Sequence, residues 1–187
     1  MKKTLIISFA IVVLFQLAVP FKMMFDQEKI LSTGIDYKFK ITPVDPYDAF
    51  RGKYITLNFE KSSYTVLNKD SFVNDEPIFI SLTTDSAGFA DIAEITKTPP
   101  IKTDFVNAKV NYFYNGQLSF NYPFDKFFME ETKAPKAEKI YRESTRTDSL
   151  QEAYALVSVK DGEAALKDVI INGVSIKILA KQYEQKN

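Results

Sequence analysis

The chain contains no cysteine, no histidine and no tryptophan. Without cysteine there are no disulfides and no thiolate nucleophile, and an oxidising compartment does no harm to the chain. Without histidine the commonest general base, the serine–histidine–acid triad and the most frequent metal ligand are all missing. Net charge is lacking too: 24 Lys and Arg balance 24 Asp and Glu, so no overall field draws the chain to nucleic acid. Most familiar enzyme designs are closed to such a composition, and no cofactor or metal is expected.

Aromatic bulk is what the chain does have, with 16 Phe and 10 Tyr to fill a core in place of the missing staples. The sequence divides into an N-terminal transmembrane anchor with a helical extension, residues 1–31, and a single domain, residues 32–187. A domain of roughly 155 residues buries about two thirds of its unfolded surface and stands without disulfides.

The anchor is read from "MKKTLIISFAIVVLFQLAVPFKMMF". Lys2 and Lys3 precede an apolar run from Leu5 to Phe21 broken only by Ser8 and Gln16. About 17 helical residues span roughly 26 Å, a little short of a ~30 Å hydrocarbon layer, and Met23, Met24 and Phe25 extend it. A cleaved signal peptide would end in a small-x-small site, which Val19, Pro20 and Phe21 do not provide. The basic start, with Asp26 and Glu28 beyond the run, places the N-terminus inside. The expectation is a single-pass protein of the inner (cytoplasmic) membrane, with its domain on the extracytoplasmic, periplasmic side.

Beyond the anchor the apolar period is two. "IDYKFKIT" alternates Ile35, Tyr37, Phe39 and Ile41 against polar residues, and "KYITLNF" sets Ile55, Leu57 and Phe59 on one side. "PIFISLTTD" and "AGFADIAEIT" predict two further strands, and "TPPIKTD" a proline-stiffened connection. Asn115-Gly116, Asp161-Gly162 and Asn172-Gly173 each interrupt alternating runs with residues that tolerate positive φ, the mark of type I′ hairpin turns. Strands are therefore expected over "FVNAKVNYFY", "GQLSFNY", "AYALVSV", "EAALKDVII" and "VSIKILA", with "KQYEQKN" frayed. Pro135 opens one short helix, "KAEKIYRE", in the C-terminal third. The fold class is mainly β, a β-rich barrel or sandwich, preceded by the transmembrane helix.

One stretch invites a functional reading. In "PVDPYDAFRGKYITLNF", Asp45, Pro46, Asp48, Arg51 and Gly52 stand directly before the strand that carries Tyr54, Leu57 and Phe59. As turn chemistry, Pro46 fixes φ and holds Asp45 extended, while Asp48 caps one helical turn or pairs with Arg51. Gly52 then permits positive φ ahead of the strand. As a cation site, two acids make a thin shell, since Ca²⁺ takes six to eight oxygens. As an acid–base pair, the two carboxylates would make the chain a hydrolase. Lys61 beside Ser62 and Ser63 offers a weaker serine–lysine alternative. The aromatic strands "VNYFYN" and "LSFNYPFDKFF" serve either the core or an exposed patch for a partner.

The same stretch, "VDPYDAFRGKYITLNF", resembles the signature of the GDYXXLXY family of membrane-anchored bacterial proteins. The eponymous block falls on Gly52 to Phe59, with Lys53 in place of the family's Asp and Phe59 in place of its last Tyr. "ILSTG" ahead of the first strand, the "PVDP" lead-in, and "AEKIYRE" followed by "AYALVSVKDGEAALKDVIINGV" extend the likeness over nearly the whole chain. The resemblance implies a membrane-bound extracytoplasmic domain with no catalytic residues to carry over. It also implies a multi-pass membrane protein as partner, because members are often encoded beside or fused to one. The function expected is a protein-interaction or accessory module for an integral membrane partner, with a carboxylate-dependent hydrolase or an envelope ligand-binding module as the alternative.

Overall fold

The computed structural model describes residues 2–42, 54–66, 72–130, 134–144 and 152–186. It opens with helix α1 (Lys2–Thr33), whose apolar side chains lie exposed, Phe9, Leu14, Phe15 and Phe25 among them. α1 is long and apolar enough to cross a membrane. Pro20 sits inside it without an N–H for the helix ladder, a defect that membrane helices tolerate. The strands that follow are β1 (Ile35–Thr42), β2 (Tyr54–Thr56), β3 (Asn58–Phe59), β4 (Ser63–Thr65), β5 (Pro77–Thr84), β6 (Ala90–Thr96), β7 (Phe105–Tyr114), β8 (Gln117–Asn121) and β9 (Lys126–Phe128). Helix α2 (Ala134–Ser144), β10 (Ala153–Lys160), β11 (Glu163–Ile171), β12 (Val174–Ser175) and helix α3 (Ile176–Lys186) complete the chain.

The domain is mainly β, as the alternation predicts. One sheet runs β12-β11-β10-β1-β3, a second β4-β8-β7-β5-β6, and β2 pairs with β9 in a separate ribbon. Every strand pair in the three sheets is antiparallel. The sheets curl into a nearly closed barrel-like body. One seam is a parallel bridge between Val106 and Gly162, where the Asn107 N–H donates to the Gly162 carbonyl at 2.9 Å. Further cross-links come from the Tyr37 hydroxyl, which donates to Asp104 at 2.8 Å, and from Lys61, which pairs with Asp91 at 2.6 Å. Burial, then that bond to the Asp104 carboxylate, pushes the Tyr37 phenol up to about 12, so it remains a donor at ordinary pH. Closing a sheet on itself removes the free edges that would otherwise recruit other chains.

The three hairpin turns form as their dipeptides require. φ is +50° and +78° at Asn115 and Gly116, +52° and +84° at Asp161 and Gly162, and +49° and +77° at Asn172 and Gly173. In the loop after β5, the Asp85 carboxylate accepts from the Ala87 and Phe89 N–H groups at 2.9 and 2.8 Å.

Two segments depart from the sequence expectation. "KYITLNF" is not one strand: it divides at Leu57 into β2 and β3, which pair with different partners. "VSIKILA" is a strand for only two residues, and α3 then runs on through most of the tail read as frayed. Ile176 and Ala180, four apart, are fully buried while Ile178 between them is half exposed, so the burial follows a helical period. Ser175 caps this helix, its hydroxyl accepting the Lys177 N–H at 3.2 Å. Two short strands, β4 and β9, answer to no predicted element.

At the base of the domain, α1 passes into β1 through Gly34 alone, whose N–H bonds the Ile30 carbonyl at 2.8 Å. The first residue of β1, Ile35, is 55% exposed although its alternation places it inward. Lys160 on β10 reaches Thr33 at 2.5 Å. Next to it, Asp36 accepts from Ser158 at 2.5 Å and from Lys167 at 2.7 Å. Partial burial works to raise the Asp36 carboxyl, but the Lys167 and Ser158 hydrogen bonds outweigh it and hold the pKa below the usual carboxylate value. A lowered folded-state pKa contributes stability that is fully present above the unfolded value and is lost as pH falls through the folded one. Thermal melts should therefore show wild type losing more stability than Asp36→Asn as pH drops below about 4, while at neutral pH the variant is the less stable. Parallel melting curves for the two proteins across that range would show that the network contributes nothing.

Candidate functional site

The stretch that drew attention in the sequence is described from Tyr54 onward. Asp45, Pro46, Asp48, Arg51 and Gly52 lie outside the described residues, so the cation and acid–base readings of the two acids meet no geometry here. Lys61 is directed to Asp91, and Ser63 is paired into the sheet opposite Ser119, so the serine–lysine reading finds no aimed amine. Among the described residues no group of three or more His, Cys, Asp or Glu side chains could hold a metal ion.

What the signature strand does is join two parts of the barrel. Tyr54, Ile55 and Thr56 face Phe128, Phe127 and Lys126 across the β2–β9 ribbon, and the Leu57 N–H then donates to the Asp125 carbonyl at 2.7 Å. One residue later the chain has changed partner: Asn58 and Phe59 lie opposite Thr42 and Ile41 of β1. Throughout, Ile55, Leu57 and Phe59 point inward and are buried. Phe59 packs edge-on against Phe39, Tyr122 and Phe124 with centroids 5.2–5.9 Å apart, a geometry that the ring quadrupoles favour. Burying such a side chain contributes about 1.5–3 kcal/mol. Leu57 and Phe59 are therefore core residues.

The other face of the strand is only partly covered. Tyr54, half-buried, lies tilted against Phe128 at 5.3 Å, and the Lys126 ammonium stands 5.5 Å from the Tyr54 ring centre. Phe128 is 66% exposed, an arrangement that leaves apolar ring surface in water. Farther along, Thr56 and Asn58 enter the rim of a 370 Å³ cavity that Ser62, Asn111, Ser119, Asn121 and Asp125 also line. Asn111 is there because of a bulge: Val110 opposes Phe120 and Tyr112 opposes Ser119, which leaves Asn111 as the unpaired extra residue of β7. The bulge has a sequence trace that the alternation argument passed over. Inward residues fall on even numbers through Val106, Ala108 and Val110, whereas farther on Phe113 turns inward and Tyr112 is 51% exposed. A second, mostly apolar cavity of 560 Å³ opens between Ile78, Ala108, Tyr122 and Pro123.

A family model, GDYXXLXY protein, matches residues 16–169. The chain belongs to the GDYXXLXY family. The match takes in the end of the apolar helix, the signature strand and the β10–β11 hairpin, so the family's pattern coincides with nearly the whole barrel. No curated protein and no solved structure matches this GDYXXLXY chain.

Proposed function

We propose that this GDYXXLXY protein is a membrane-tethered recognition module. Residues 1–31 remain attached as an anchor with the N-terminus inside. Residues 32–187 work on the extracytoplasmic side of the cytoplasmic membrane as an accessory to a multi-pass membrane protein. The observation that carries this reading is the Tyr54–Phe128 pair: Phe128, two-thirds exposed, lies tilted against Tyr54 of the family's own strand, with a lysine beside it. Aromatic residues with a polar rim are what protein interfaces enrich. Tethering adds to this, because two surfaces confined to one membrane meet at high effective concentration.

Installing the photo-crosslinking residue benzoylphenylalanine at position 128 in native membranes tests the proposal. Irradiation should give one dominant adduct with an integral membrane protein, and Tyr54→Ser should diminish it. Adducts no stronger than those from a control position on the β6 surface, Glu94, would refute it.

A further inference from the structure

The polar cavity beside the signature strand has a chemistry of its own. Its walls come from separate parts of the chain: Asn58 from the strand changeover, Ser62 ahead of β4, Asn111 from the bulge, Ser119 and Asn121 from β8, and Asp125 ahead of β9. The backbone that holds these side chains is fixed independently of them. The Asp125 carbonyl takes the Leu57 N–H at 2.7 Å, and the Ser62 carbonyl takes the Phe120 N–H at 3.1 Å. The buried Leu57, Phe59, Phe120 and Tyr122 complete the lining.

Three asparagines, two serines, two threonines (Thr42 and Thr56) and one aspartate thus line a space of 370 Å³. That is room for about a dozen waters and lies within the range of small-molecule sites. Among the described residues no lysine or arginine lines it, so Asp125 stands there as an uncompensated charge against an anionic ligand. An apolar ligand would strip water from the eight polar residues of the lining without replacing those hydrogen bonds. A carboxamide donates and accepts at once, a hydroxyl does the same, and a carboxylate accepts twice. The complement of that set is a neutral molecule bearing several adjacent hydroxyls. Bulges re-aim side chains at binding sites, and the one in β7 brings Asn111 to this lining.

We infer that this cavity binds a neutral saccharide, a single ring or the end of a longer glycan, with Asn111, Asn121 and Asp125 as its principal hydrogen-bonding groups. This goes beyond partner docking at Tyr54 and Phe128, since neither of those residues lines the cavity.

The test is saturation-transfer NMR on the full chain in detergent micelles, with maltose, cellobiose and N,N′-diacetylchitobiose as probes and inorganic phosphate and triglycine as controls. At least one disaccharide should bind with a Kd of about 1 mM or tighter. Asn121→Ala and Asp125→Asn should each weaken it about tenfold or more. Both changes alter exposed or half-exposed side chains and leave the backbone bonds in place, so circular dichroism melts should match wild type and separate lost binding from lost fold. The inference is overturned if none of the three sugars gives transfer, if the two folded variants bind as well as wild type, or if phosphate or triglycine binds more tightly than every sugar.

Discussion

Replacing Tyr122 by alanine is expected to destabilise the domain by about 3–5 kcal/mol, the range for emptying a buried aromatic site. Tyr122 is 4% exposed and lies at the centre of the aromatic cluster. Its ring is stacked on Phe124 at 5.0 Å and meets Phe39, Phe59 and Phe120 edge-on at 5.2–5.4 Å. These four neighbours come from β1, β3, β8 and the loop after it, so the ring holds the two large sheets to each other. Each such pair adds about 0.5–1.5 kcal/mol beyond area burial, and the hole left by alanine could not close without moving several strands. The hydroxyl matters less. It donates to the Lys61 carbonyl at 3.0 Å, and burial raises its pKa so far that it never leaves the protonated form at ordinary pH. Tyr122→Phe should therefore cost about 1 kcal/mol, the net value of one hydrogen bond. Urea unfolding of the full chain in micelles, followed by far-ultraviolet circular dichroism, gives both values. An alanine variant no weaker than the phenylalanine variant would mean that the cluster is not the core.

That cluster also shows how far the sequence could be read. Where a feature is decided locally, the chain states it openly. Asn115-Gly116, Asp161-Gly162 and Asn172-Gly173 fold into positive-φ turns because few other residues accept that backbone, and the strands on either side inherit their register. The apolar run before Pro20 is legible for a similar reason, since length and composition alone decide whether a helix can cross a membrane. Features decided by distant partners were hidden. Nothing in "KYITLNF" announces that the Leu57 N–H will bond Asp125 and end one pairing before the next begins. Val174, Ile176 and Ile178 alternate like a strand, and only a capping serine and the burial of Ile176 with Ala180 turn the segment into a helix. The cavity was hidden most completely. Its polar groups come from scattered segments, each with an ordinary surface pattern, and they meet only once the barrel has nearly closed.

Gly34→Val is expected to loosen the helix from the domain, because the junction has no room for a side chain. A Cβ at Gly34 would lie 2.5 Å from the Ile30 carbonyl oxygen, 3.0 Å from that of Val159 and 3.2 Å from the Val159 nitrogen. All three are backbone atoms. The Val159 pair is held by the β1–β10 ladder, in which Val159 faces Ile35, and the Ile30 oxygen is held by the Gly34 N–H itself. Relief must come from breaking that last bond or from lifting the start of β1 away from β10. Overpacking of this kind costs about 1–3 kcal/mol, and a branched side chain should fall at the upper end. The consequence reaches past stability. With glycine in place, α1 enters the barrel through one residue and is tied to it by Lys160 and Thr33, so the helix is a post whose angle to the barrel is fixed at this joint. The absence of native cysteine makes the measurement clean, since spin labels at Gln27→Cys and Lys109→Cys would be the only thiol adducts. Electron–electron distance measurements should give one narrow distribution for the parent chain and a broad one for Gly34→Val, with the barrel still folded. Equally narrow distributions in both would show that the post is not held at this joint.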